Sequence, residues 1–204
     1  MPVRVKICGV TTVEDAVMCA EAGADAIGMN FWERSPRSIG RDVARAIVRA
    51  LPADVLKIGV FVDARRQTID ATIAEVGLDA VQLHGEEAPD DCRGFSVKVI
   101  KALRVREGEA IAEFAARFAV DYILLDADAG EGRGGSGRTF DWSRTAGVAP
   151  GRLFVAGGLR PENVAAAVRI ARPYAVDTAS GVESAPGEKD AARVKEFIHH
   201  AKHA

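Results

Sequence analysis

Eight apolar runs recur along this chain, at residues 3–8, 24–30, 56–62, 80–83, 97–102, 122–126, 153–156 and 175–177, and most show no polar alternation. A strand with one wet face alternates apolar and polar residues. An unbroken β-branched or aliphatic run is what a strand covered on both faces requires, and such strands belong to parallel sheets. Parallel neighbours need crossover connections, and helical patterns fall between the runs. Val13, Ala16, Val17 and Ala20 recur at i, i+3, i+4 and i+7, and Thr12 with Asp15 resembles a capping box. Val43, Ala46, Ile47, Ala50 and Leu51 repeat that spacing, as do Val194, Phe197, Ile198 and Ala201. Residues 109–118 carry a helical pattern, and a shorter, weaker one follows His84. Eight strands alternating with about eight helices predict a (β/α)8 TIM barrel at the compact end of its size range. The alternative is a doubly wound open sheet, which would use fewer strands for this length; no GxGxxG follows the first strand. No stretch reads as a linker, so residues 1–204 are expected to form one domain.

Composition excludes several functions. Net charge is -2, with basic residues spread along the chain, so no nucleic-acid footprint is expected. No apolar stretch approaches the roughly 20 residues of a membrane helix, and no signal-peptide pattern follows Met1-Pro2. Cys8, Cys19 and Cys92 are an odd set without CxxC spacing, which predicts reduced thiols in a cytoplasmic compartment rather than a disulfide frame or zinc site. His199, His200 and His203 read as the cationic last turn of a helix rather than a metal tract. With no metal cluster and no nucleotide fingerprint, no cofactor is expected.

A barrel places its reactive groups at the C-terminal ends of its strands. Here the first run ends in Cys8-Gly9, and the second leads to Ser35-Pro36-Arg37. The third reaches Asp63, the fourth gives Gln82-Leu83-His84-Gly85, and the sixth ends at Asp126. The seventh delivers Gly157-Gly158, and the eighth ends in Asp177, followed by Ser180-Gly181-Val182-Glu183. Barrels often bind phosphate with the last two of these loops, because bare backbone N–H groups approach the oxygens closely. Gly157, Gly158, Ser180 and Gly181 are therefore the predicted phosphate site. The Gly-rich segment 132–138 lacks the Gly-Lys-Ser/Thr ending of a P-loop and is expected to be a loop that closes over the ligand.

Lys6-Ile7-Cys8-Gly9-Val10-Thr11, Ser35-Pro36-Arg37, Gly59-Val60-Phe61-Val62, Val81-Gln82-Leu83-His84-Gly85, Gly134-Gly135-Ser136-Gly137 with Phe140-Asp141-Trp142, Ala156-Gly157-Gly158-Leu159 and Ser180-Gly181-Val182-Glu183 occur in that order. This series resembles the phosphoribosylanthranilate isomerase family of tryptophan biosynthesis from the first strand to Lys189-Asp190. Two departures stand out: Ser136 replaces the usual Thr, and Thr178-Ala179 replaces the usual Val-Ser. The resemblance implies an Amadori rearrangement of an N-linked phosphoribosyl anthranilate, with Cys8 as base and Asp126 as acid. It further implies that Arg37 holds the anthranilate carboxylate, that Asp177 bonds a ribose hydroxyl, and that Gln82 and His84 line the pocket floor. Cys19 and Cys92 read as structural, and Asp63 has no assigned role.

The implied roles demand shifted acidities. A free thiol with pKa about 8.5 is only a few per cent thiolate at neutral pH, so Cys8 is expected to need a downward shift, with the helix beginning near Thr12 as its source. Protonating an ordinary aspartate at pH 7 costs roughly 4 kcal/mol, so Asp126 is expected to gain its proton from burial, Asp177 and the substrate phosphate. Two rivals are an aminoketose isomerase of histidine biosynthesis and a non-catalytic phosphosugar-binding barrel. The first uses two aspartates and two phosphate sites, whereas strand one here ends in cysteine. The second explains the glycines but not a thiol and an acid at one mouth. A monomer is expected, with a dimer left open.

Overall fold

The computed structural model describes residues 2–106, 108–127 and 139–204. The apolar runs form β1 (Arg4–Cys8), β2 (Ala26–Asn30), β3 (Leu56–Phe61), β4 (Ala80–Leu83), β5 (Lys98–Val105), β6 (Tyr122–Ala127), β7 (Leu153–Val155) and β8 (Ala175–Thr178). Each pairs in parallel with the next, and β8 returns to β1 with Arg4 opposite Ala175 and Lys6 opposite Asp177, which closes the barrel. The predicted (β/α)8 class holds.

Helices cover the outer face: α1 (Val13–Glu21), α2 (Arg41–Ala50), α3 (Arg66–Val76), α4 (Ile111–Ala116), α5 (Pro161–Ala171) and α6 (Ala191–Lys202). The described residues thus hold six α-helices rather than about eight. No helix follows His84. There the backbone is bonded by side chains instead, Gly85 N–H donating to the Glu87 carboxylate and Ala88 N–H to Asp91, while Gly94 takes a positive φ of 73°. These local bonds compete with a helical ladder. Cys92 therefore sits in a turn, its thiol donating to the Ala88 carbonyl at 3.4 Å. Between β6 and β7 the described residues form only short 3-10 turns, Trp142–Thr145 and Pro150–Arg152.

Two further sequence expectations shift. The buried stripe of α2 runs through Ala44, Ile47 and Leu51, leaving Val43 41% exposed; both registers satisfy helical spacing, and only packing against the barrel chooses between them. At α1 the Thr12 hydroxyl accepts from Asp15 N–H at 3.1 Å, but the Asp15 carboxylate turns away from the box and accepts from Lys189 N–H. The α6 stripe Val194, Phe197, Ile198 and Ala201 is buried as expected, and His199 and His200 lie in its last turn.

Strand alternation divides the core. Val5 and Ile7 pack outward under the helices, whereas Ala26, Ile58, Ala80, Ile100, Leu124, Phe154 and Ala175 fill the barrel interior. After β8 a 3-10 turn (Ser180–Val182) leads into an antiparallel hairpin, β9 (Glu183–Ala185) and β10 (Glu188–Lys189), which brings Glu183 and Lys189 back to the rim of β1.

Candidate active site

Residues of one strand that are two apart share a face. Lys6 and Cys8 on β1 therefore face the barrel interior, as do Gln82 on β4, Asp126 on β6 and Asp177 on β8. Above this layer opens a cavity whose walls include Cys8, Arg37, Gln82, His84, Asp126 and Asp177. Gly157, Gly158 and Ser180 line the same cavity, and Gly181 borders an adjoining depression shared with Gly158 and Ser180. Asp63 is not among its walls. Its φ is 48°, its carboxylate accepts from Glu86 N–H at 2.7 Å, and it braces the turn after β4. The segment 132–138, including Ser136, lies outside the described residues.

Two bare glycines make room around Cys8. Gly9 has φ 70°, and a Cβ there would lie 2.4 Å from Arg37 Cδ. Gly28 stands opposite Cys8 in the sheet, where a Cβ would meet Cys8 Sγ at 2.8 Å and Lys6 Cε at 3.1 Å. The thiol does not show the expected downward shift. Burial pushes it up, and the Lys6 ammonium is the strongest opposing influence. Lys6 is itself fully buried, with Nζ 2.8 Å from Asp177 Oδ1.

Across the cavity, Gln82 Nε2 donates to His84 Nδ1 at 2.8 Å. A neutral imidazole that accepts at Nδ1 carries its proton on Nε2. That nitrogen lies 3.3 Å from Asp126 Oδ2, which puts the ring edge against the carboxylate. Among the described residues, Gln82 Oε1 is buried without a hydrogen-bond partner. Gly157 has φ 82°, and a Cβ there would come within 2.4 Å of Ala127 N and 2.8 Å of Asp126 Oδ1; glycine is what lets the β7 loop pass so close to the acid.

The loops after β7 and β8 also touch closely. A Cβ on Gly181 would lie 1.9 Å from the Leu159 carbonyl oxygen, which already accepts from the Thr178 hydroxyl at 2.8 Å. Among the described residues nothing accepts from the backbone N–H groups of Gly158 and Gly181. Asn163, in the first turn of α5, anchors the β7 loop by donating to Gly158 O at 3.0 Å and accepting from Arg160 N–H. These donors beside short bare loops suit an anionic group.

Arg37 meets Glu183 through two bonds, Nε to Oε1 at 2.8 Å and Nη2 to Oε2 at 2.6 Å. Lys189 donates to Glu183 Oε1 at 2.6 Å and to the Cys8 carbonyl at 2.7 Å. Burial works against the Glu183 carboxylate, yet Arg37 and Lys189 together hold it below its usual range. Sequence reasoning assigned no part to Lys6, Glu183 or Lys189. The available signal was a charged residue inside or beside an apolar strand, which a two-sided parallel strand tolerates only when it is paired.

Comparison with known proteins decides among the barrel families. The model of the family described as N-(5'phosphoribosyl)anthranilate (PRA) isomerase matches residues 5–200. The chain belongs to that family. The N-(5'-phosphoribosyl)anthranilate isomerase of Pelobacter propionicus is 50% identical over 201 residues, covering 98% of this chain and 96% of its own. The crystal structure of phosphoribosyl anthranilate isomerase from Thermotoga maritima superposes with a TM-score of 0.87 at 44% identity, covering 99% of this chain and all of its own. A phosphoribosyl anthranilate isomerase in complex with reduced 1-(o-carboxyphenylamino)-1-deoxyribulose 5-phosphate superposes at 0.85, with 41% identity and coverage of 99% and 100%. The family's barrel and this one thus coincide along nearly the whole chain.

Proposed function

We propose that this chain isomerises N-(5-phosphoribosyl)anthranilate to 1-(2-carboxyphenylamino)-1-deoxyribulose 5-phosphate, the Amadori step of L-tryptophan biosynthesis. Family membership carries the activity, and the cavity supplies groups suited to each step. Asp126 gives a proton to the ring oxygen as the C1′–O bond breaks and the anthranilate nitrogen lone pair forms the C1′=N bond. Cys8, as thiolate, removes the C2′ proton, and that electron pair forms C1′=C2′ while the nitrogen regains its lone pair. The enolamine then moves the enol proton to C1′ to give the ketone. Gly157, Gly158, Ser180 and Gly181 receive the phosphate, Asp177 a ribose hydroxyl and Arg37 the anthranilate carboxylate, with Gln82 and His84 at the floor.

The observation that carries the assignment is that Cys8 and Asp126, 118 positions apart in the chain, line one cavity with bare loop glycines at its edge. Loss of substrate fluorescence, with no metal added, tests it. Cys8→Ala and Asp126→Asn should each lower kcat by about 100-fold or more while substrate still binds. Full turnover in either variant overturns that residue's role.

The free thiols fit a reducing cytoplasm. No helix among the described residues is long and apolar enough to cross a membrane. The monomer reading draws on exposed large apolar side chains among the described residues being confined to Val43 and Ile170.

A further inference from the structure

Lys6 has no part in the reaction as written above, and it cannot touch a ligand: it is fully buried and does not line the cavity. An ammonium buried at the centre of a barrel must be compensated. Asp177 Oδ1 takes one of its three donors at 2.8 Å. Alternation places Lys6 one layer beneath Cys8 on the same face of β1, and the missing side chain of Gly28 lets Cys8 Sγ and Lys6 Cε crowd toward one point. The other charges around the sulfur are already engaged. Lys189 is held by Glu183 and the Cys8 carbonyl, and Arg37 is forked onto Glu183.

We propose that Lys6 is the counter-ion that favours the ionised, reactive form of the Cys8 sulfur, and that Asp177 competes with the sulfur for the same ammonium. Lys6 is thus a positioning residue, acting through Cys8, and the inference rests on the reading of Cys8 as base. Burial disfavours the ionised sulfur, and the ammonium one layer beneath it is the strongest influence opposing that burial. Asp177 then has two faces, one toward Lys6 and one toward the cavity. A ligand hydroxyl drawn to Asp177 would compete for its oxygens and leave more of the ammonium to the sulfur.

The test is alkylation of Cys8 by iodoacetamide in the full-length protein between about pH 6 and 10, read peptide by peptide by mass spectrometry so that Cys19 and Cys92 are separated. Lys6→Met should raise the Cys8 midpoint by about one pH unit or more and slow alkylation at neutral pH about tenfold. Lys6→Arg should stay within about threefold of the parent. Asp177→Asn should move the midpoint the opposite way, downward, because the ammonium is left to the sulfur alone. A Lys6→Met midpoint that does not move overturns the proposal. If circular dichroism shows Lys6→Met unfolded, Asp177→Asn decides, and an unmoved or raised midpoint overturns it. The ascending limb of kcat against pH should follow the alkylation midpoint in Lys6→Met, which mere loss of packing would not produce. Cys8→Ala separates the two readings. Retained turnover there removes Cys8 as base and leaves the midpoint shifts standing. Lost turnover with unmoved midpoints removes Lys6 alone.

Discussion

His84 Nε2 lies 3.3 Å from Asp126 Oδ2, and its other ring nitrogen accepts a 2.8 Å hydrogen bond from Gln82. The relay runs from the floor of the barrel to the proposed acid and fixes which nitrogen holds the proton. Gln82 on β4 is 1% exposed, so solvent does not compete for that bond.

Removing the ring should affect chemistry more than binding. His84→Ala is expected to lower kcat by about 10- to 100-fold with little change in KM, and Gln82→Met to give a smaller loss of the same kind. Steady-state fluorescence assays of both variants check it; a loss confined to KM would contradict the relay.

Gly28→Ala tests the crowding around the sulfur. The new Cβ would sit 2.8 Å from Cys8 Sγ, so the thiol must leave its position. Turnover should fall by about 10-fold or more with KM nearly unchanged, since misplacing a reacting atom by about an ångström has that effect. Normal kcat in a folded Gly28→Ala chain would show the position to be tolerant.

Glu183 fixes the plane of the Arg37 guanidinium through two bonds. Glu183→Gln should raise KM for the anthranilate substrate by about 5- to 20-fold while sparing kcat, because the fork loses its orientation. In the parent, the Glu183 carboxylate lies below its usual value of 4.5, so it adds stability above that pH. That contribution is lost as pH falls through the folded value. Urea titrations below about pH 5 should show a shallower acid loss in Glu183→Gln than in the parent.

Cys19 makes an alkaline prediction. Burial pushes its thiol from 9.0 to about 12, with Lys189 opposing. Between those values the unfolded chain loses a proton that the native chain keeps, so stability must fall as pH rises. The slope from this one group approaches about 1.4 kcal/mol per pH unit. Cys19→Ala should be less stable at neutral pH but flatter between about pH 9 and 11 in urea unfolding, and an unchanged slope would contradict the assignment.

Much of this was legible in the residues. Continuous apolar runs such as residues 122–126 specify strands buried on both faces, and eight of them in parallel leave a closed barrel as the economical solution. Strand ends bearing Cys8, Asp126 and Asp177 then had one rim to meet at. Beyond the acidity of Cys8, which burial reversed, what failed was local. The segment after His84 has apolar residues near helical spacing, yet side-chain bonds from Glu87 and Asp91 hold it as turns. Along α2 the stripe slipped by one residue, because Val43 and Ala44 fit the period equally well.

Period and turn chemistry act between near neighbours, so the sequence alone determined the eight barrel strands, the closed barrel and the strand ends bearing Cys8, Gln82, Asp126 and Asp177. Charge pairing acts between residues far apart in the chain, and only the closed barrel decided it. Lys6 meets Asp177 across 171 positions and Arg37 meets Glu183 across 146. No local pattern encodes those partners, because they become neighbours only when β8 returns to β1 and the hairpin after it folds back over the rim.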